Sequence, residues 1–165
     1  MPLPEDAPGT TTQTVPDRPS YMDTRYFEPM LKYVSRTQVA LYRATDGRIG
    51  GTFKDGQPIC LLTTKGRKSG KLRTNALIYL PYGDSVVVVA SKGGHPAHPL
   101  WYRNLVEEPR VLVRTGAHLR AMRARTADKD EREELWPRLV DLYREYDWYQ
   151  AWTDREIPVV ICEPI

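Results

Sequence analysis

Three stretches of this 165-residue sequence hold side chains that could do chemistry. In Lys65-Gly66-Arg67-Lys68-Ser69-Gly70-Lys71-Leu72-Arg73, five of nine residues are cationic and two are glycine. Glycines let backbone N–H groups converge without a Cβ in the way, and lysine or arginine adds charge-assisted bonds to phosphate or carboxylate. Such a loop suits an anion, although a solvated hairpin turn or a nucleic-acid patch would draw on the same residues. The second stretch, Ala90-Ser91-Lys92-Gly93-Gly94-His95, should leave free N–H groups beside a lysine, just before a helix starting near Pro99. A strand, a glycine turn and a helix N-terminus form a recurrent cradle for phosphate or for the polar edge of a flavin-like ring. The third is aromatic: Tyr143, Tyr146, Trp148, Tyr149 and Trp152. Tyrosines spaced by three gather on one edge of a helix; in a pocket they could stack on a planar substrate and donate a hydrogen bond or a proton.

Other chemistries find little support. No Ser-His-Asp or Cys-His set and no paired carboxylates stand in plausible context, which disfavours hydrolytic and nucleophilic catalysis. His95 and His98 lack a carboxylate or cysteine at ligand spacing, so they read as turn or capping residues, with no metal expected. Cys60 and Cys162, about a hundred positions apart, read as core thiols.

The elements that must position these residues follow from periodicity. Residues 1–20, holding five of the 14 prolines by Pro19, read as a disordered arm. Residues 21–165 read as one domain, with an amphipathic helix over about 26–43 and a barrel over about 50–165. The helix places Phe27, Met30, Leu31, Val34, Leu41 and Tyr42 on its apolar side, either packed on the core or docked on a membrane surface or a partner. Strand period then predicts six strands, at Pro58–Thr64, Arg73–Leu80, Ser85–Ser91, Arg110–Thr115, Ala117–Thr126 and Ile157–Glu163. Short glycine-bearing links favour antiparallel pairing, and Val86–Val89, apolar on both faces, suits a closed sheet. The fold class is therefore α+β, mainly β: a small barrel with the N-terminal helix and two further helical segments. One starts near Pro99. The other starts near Asp128, capped by Asp128 with Glu131, and should bend or restart at Pro137. The net charge of +3 is too small to demand nucleic acid. No apolar run approaches the 20 or so residues of a membrane span, and the first residues do not resemble a secretory signal, so a cytoplasmic location is expected.

In order along the chain, Leu61-Leu62-Thr63-Thr64, Gly66-Arg67-Lys68-Ser69-Gly70 with Arg73, Ala90-Ser91-Lys92-Gly93-Gly94, Pro99-Leu100-Trp101-Tyr102 and Tyr149-Gln150-Ala151-Trp152-Thr153-Asp154-Arg155 resemble the deazaflavin-dependent nitroreductase family. The match spans about Gly50 to Pro164. The resemblance implies a split β-barrel that binds coenzyme F420, a 5-deazaflavin with a phosphate and an oligoglutamate tail. Its reduced form, F420H2, would give a hydride from C5 to a quinone, an enone or a nitro compound. Carried over by motif, Arg67, Lys68 and Arg73 would hold the phosphate and tail. Ser91, Lys92, Gly93 and Gly94 would meet the ring and side chain, while Pro99, Leu100 and Trp101 close the groove. Tyr143, Tyr146 and Tyr149 would line the acceptor pocket, with Ser91 bonding the acceptor's oxygen. Nitroimidazole-reducing relatives carry a tyrosine where this chain has Ile78, and Tyr79 should face the other way. Ile78 is thus expected at the substrate, favouring quinones and activated C=C or C=O acceptors. The expected partner is this small molecule rather than nucleic acid, with peripheral membrane contact through the N-terminal helix. An FMN-binding split-barrel oxidoreductase and a non-catalytic cofactor binder are the alternatives; the density of cations suits a polyanionic tail better than FMN's single phosphate.

Overall fold

The computed structural model describes residues 14–23, 25 and 27–165. Six antiparallel strands close into a barrel: β1 (Ile59–Lys65), β2 (Leu72–Tyr82), β3 (Ser85–Val89), β4 (Arg110–Thr115), β5 (His118–Thr126) and β6 (Val159–Pro164). Their order around it is β1-β2-β3-β6-β5-β4. The hairpins β1–β2, β2–β3 and β4–β5 follow the sequence, whereas closure relies on the distant pairs β3–β6 and β1–β4, for example Val87 with Ile161 and Leu62 with Val113. Strand alternation sends Cys60, Leu62, Val86, Val88, Val113, Met122 and Cys162 inward. The intervening residues Val87, Val89, Val159 and Ile161 point outward under α3 (Lys129–Leu142) and α4 (Glu145–Ala151). That is why Val86–Val89 is apolar on both faces. Both cysteines are free and buried; burial pushes both thiols up, Cys162 to about 12.

α1 (Phe27–Thr45) meets the barrel through Val39 and Tyr42, against Ile59, Leu61, Ala76 and Ile78. The Tyr42 hydroxyl donates to the Ile59 carbonyl at 2.9 Å and accepts from the Gly116 N–H at 2.7 Å. The expected apolar side is corrected in part: Tyr42 is buried as expected, Met30, Val34 and Leu41 are exposed, and the side chains of Phe27 and Leu31 lie outside the described residues. Val39, three residues before Tyr42, completes the buried face, on the far side of Tyr42 from the exposed Met30, Val34 and Leu41. Among the described residues no helix is long and apolar enough to cross a membrane.

α2 (Leu100–Glu107) lays Trp101 and Leu105 into the barrel's interior cluster. The second expected helical segment is two helices. α3 runs unbroken through Pro137, and Tyr143 ends it with φ −146° before α4 begins at Glu145. At its start the Asp128–Glu131 capping box is present. Glu131 also takes a bidentate bond from Arg125 of β5, both contacts 2.7 Å, while Arg125 reaches Glu163 of β6 at 2.9 Å. The Arg125 and Asp128 bonds hold the Glu131 carboxyl down at about 2, against an ordinary 4.5. Because the folded value lies below the unfolded one, this contribution is complete above about pH 4.5 and fades as pH falls toward 2. Glu131→Gln should therefore lower stability by about 1 kcal/mol at neutral pH, the carboxylate being partly solvent-screened. The gap to wild type should close in acid; a pH series of thermal melts with a constant gap would refute the assignment.

Of the expected arm 1–20, residues 1–13 lie outside the described residues. The part that is described lies against the barrel domain. The Pro16 carbonyl accepts from the Trp152 indole N–H at 2.8 Å, and a short 3-10 turn at Ser20–Asp23 brings Met22 over Gly93.

Candidate active site

The turn between β1 and β2 carries the cations, and their positions come from its anchoring. The buried Asn104 of α2 accepts from the Arg67 backbone N–H and donates to the Thr64 hydroxyl, both at 3.2 Å. Within the turn the Gly66 N–H goes to the Lys71 carbonyl, the Gly70 N–H to Gly66 and the Lys71 N–H to Ser69 Oγ. The glycine N–H groups expected to converge on an anion are therefore occupied, and charge must do that work. Among the described residues none of Lys65, Arg67, Lys68, Lys71 and Arg73 has a carboxylate partner. Arg67 and Arg103 share a surface pocket of about 260 Å³ with His98 and Tyr102. Arg103 and Asn104 are additions that composition alone did not single out. A larger pocket of about 360 Å³, beside Lys65 and Leu72, contains none of Arg67, Lys68 and Arg73.

The segment after β3 is held from beneath by Arg155. Its Nε donates to the His95 carbonyl at 2.8 Å and Nη2 to the Ser91 carbonyl at 2.7 Å. Nη1 donates to the Ala90 carbonyl at 3.2 Å and lies 3.1 Å from His98 Nδ1. Every partner is a neutral acceptor, and burial lowers the guanidinium's pKa. Burial and the positive charge of Arg155 and Arg103 push His98 down, so the neutral ring accepts. Lys92 and Gly93 both lie in the left-handed region, at φ +45° and +59°.

Two of the expected ring contacts have close protein neighbours of their own. The Gly94 N–H is not free, since it donates to the Ser91 carbonyl at 3.0 Å. A Cβ on Gly94 would also stand 2.7 Å from the Tyr149 carbonyl, so this glycine is there to let α4 approach. Gly93 is covered, with Met22 Cε 2.9 Å from where its Cβ would be. Ser91 keeps its role open: its hydroxyl makes no bond within the described protein. Pro99 is the buried N-cap of α2, Leu100 is exposed, and Trp101 is 6% exposed and turned into the barrel.

The three tyrosines converge, though not from one helix. Tyr143 caps α3, and Tyr146 and Tyr149 belong to α4. Ring centres are 5.0 Å apart for Tyr143 and Tyr146, 6.1 Å for Tyr143 and Tyr149, and 6.4 Å for Tyr146 and Tyr149. Ile78 packs against the same cluster, whereas Tyr79 joins the barrel interior, on opposite faces as expected. Tyr146 is 5% exposed and has no hydrogen-bond partner among the described residues. Burial raises its phenol's pKa, so it stays protonated. The hydroxyls of Tyr143 and Tyr149 both go to Glu145, which sequence reasoning passed over.

Residues 34–164 match the family model described as F420H(2)-dependent quinone reductase. The chain belongs to this family. An F420H(2)-dependent quinone reductase of Mycobacterium tuberculosis is 37% identical over 131 residues, covering 76% of this chain and 87% of that one. A solved F420-H2-dependent reductase is 44% identical with a TM-score of 0.61, covering 65% of this chain and 95% of its own. A further structure, described as a domain-swapped dimer, is 39% identical with a TM-score of 0.64, covering 82% of this chain and 99% of its own. The family's coenzyme is F420, and the donor set fits it: cations on the β1–β2 turn that have no carboxylate partner among the described residues, for an anionic tail, with Ser91 and a phenol unpartnered among those residues at the other end.

Proposed function

We propose that this chain is an oxidoreductase that reduces a quinone at the expense of F420H2. The observation that carries this reading is the run of cations from Lys65 to Arg73 without carboxylate partners among the described residues, a charge density that suits a polyanion. Arg67, Lys68 and Arg73 bind the phosphate and tail carboxylates, with Arg103 beside Arg67. Ser91 and Lys92 meet the ring. Pro99, Leu100 and Trp101 bound the groove where α2 begins. Reduced F420, when bound, supplies the hydride. The protein's part is to orient the pair, exclude water and manage one proton. Ile78, Tyr143, Tyr146 and Tyr149 form the acceptor's wall. Enones and nitro compounds are secondary acceptors, and Ile78 gives a nitro group no hydrogen bond at that position.

Titration with oxidised F420 and with FMN, read by intrinsic fluorescence and by the ligands' own absorbance, tests the reading. F420 should bind saturably, about tenfold more weakly after Lys68→Ala and more weakly still as salt is raised. FMN should bind much more poorly. Tight FMN binding indifferent to Lys68→Ala would move the chain to flavin chemistry.

A further inference from the structure

Reduction of a quinone by hydride leaves its oxygen one proton short, and a pocket walled by buried rings must draw that proton from solvent. We propose that Lys54 and Glu145 are the proton-supply path of this pocket, passing solvent protons to the Tyr143–Tyr149 hydroxyl pair. This deepens the quinone-reductase reading and rests on it.

The path is continuous. Lys54, in the segment between α1 and β1, has a side chain 51% exposed; the side chain of Glu145, at the start of α4, is 23% exposed, and Tyr143 is 7% exposed. The Lys54 ammonium bonds Glu145 Oε1. Glu145 Oε2 accepts from the Tyr143 hydroxyl, and from that of Tyr149 at 3.2 Å. The two phenol oxygens are 3.1 Å apart. Phe53 closes over Tyr143 edge-on, ring centres 5.8 Å apart. A phenol has one hydrogen. That of Tyr143 is committed to Glu145, whereas that of Tyr149 has two acceptors at similar distance and can turn to a third. Burial first, then the contacts with Glu145 and Tyr149, raises the Tyr143 pKa; burial does the same for Tyr149. Burial alone would raise the Glu145 carboxyl, but the bonds from Lys54 and the phenols outweigh it and hold it below its ordinary value. The resting state is therefore ammonium, carboxylate and two phenols. Asp55 near Lys54, and Tyr21 and Tyr146 near Tyr149, are the other titratable groups that act on the path.

The proton balance closes. As the acceptor takes the hydride, the Tyr149 O–H bond breaks and the quinone O–H bond forms. The tyrosinate recovers a proton from Tyr143, Tyr143 from Glu145 after the carboxylate has taken one from Lys54, and Lys54 from water. The path delivers one solvent proton per hydride, and the proton that the coenzyme gives up on oxidation returns to solvent, so no other reactant is needed. Lys54 and Glu145 touch no substrate; they act through the tyrosines.

Lys54→Arg separates a relay from a strut, because arginine keeps the ion pair but does not give up a proton near neutral pH. In the full-length protein, Lys54→Arg should lower kcat with a soluble benzoquinone about tenfold and enlarge the solvent deuterium isotope effect, while the Kd for F420 stays within twofold. Glu145→Gln, studied without coenzyme, should let Tyr143 and Tyr149 ionise at lower pH, seen as tyrosinate absorbance during alkaline titration. Wild-type turnover and isotope effect in Lys54→Arg would overturn the relay and leave the quinone-reductase reading intact, and an unchanged tyrosine titration in Glu145→Gln would do the same. Failure of the wild type to reduce any quinone would remove both.

Discussion

Arg155→Ala should unfasten the segment between β3 and α2, raising the Kd for F420 at least about tenfold and lowering the Tm by about 10 °C. The guanidinium is the shared donor of three backbone carbonyls, those of Ala90, Ser91 and His95, and the partner of His98 Nδ1. Alanine leaves the Ala90 and His95 carbonyls and His98 Nδ1 without this partner in a half-buried site, the Ser91 carbonyl keeping only the Gly94 N–H, at about 1–3 kcal/mol for each acceptor that water cannot reach. Discounting for access and non-additivity leaves about 3 kcal/mol, and each 1 kcal/mol shifts the melt of a chain this long by about 2–4 °C. Affinity falls with stability because the same carbonyls fix where Ser91 and Lys92 stand. Arg155→Lys should recover only part of both losses, since one ammonium cannot span a planar fork's acceptors. Differential scanning fluorimetry and the F420 titration check this together. A normal melt and normal affinity in the alanine variant would show that the loop is held by something else.

The second large effect is on turnover alone. Tyr146→Phe should lower kcat with a quinone about 100-fold while F420 affinity stays within twofold. The ring stays seated beside Tyr143, at 5.0 Å between centres. What is lost is a protonated hydroxyl with no partner among the described residues. A donor left open in this way can serve a ligand in place of water, and an oxygen gaining negative charge is the ligand that gains most from it. The loss of one such donor costs about 10²–10³ in kcat. Thermal stability should be unchanged or slightly higher, because phenylalanine removes a polar group that the protein leaves unpaired. Single-turnover oxidation of bound F420H2 by a benzoquinone measures the rate directly; an unchanged rate would reduce Tyr146 to packing.

Much of the architecture was legible because local rules governed it. Alternation gave all six strands to within a few residues, and the capping pair at Asp128 and Glu131 marked where α3 starts. The buried side of α1 is legible only in part: Tyr42 of the apolar stripe makes the contact, but beside Val39, while Met30, Val34 and Leu41 of the same stripe are exposed. Pro137 predicts a bend or a restart, yet α3 continues through it, with Leu135 and Leu139 buried on either side. For the site, residue types were readable and hydrogen-bond partners were not. The glycine N–H groups of both loops looked free, yet those of Gly66, Gly70 and Gly94 are used within their own turns. Glu145 and Lys54 are 91 positions apart, and Arg155 reaches back about 60 residues to His95. No periodicity connects such pairs; only the folded chain does.

The two cysteines have a practical consequence. Cys60 and Cys162 are the sequence's only thiols, both sealed in the barrel and both poor nucleophiles because burial suppresses the thiolate. The native protein should therefore take up little maleimide dye without any background mutation. A cysteine introduced at an exposed position, such as 100 at the start of α2, would then be the one reactive thiol and should take a single fluorophore.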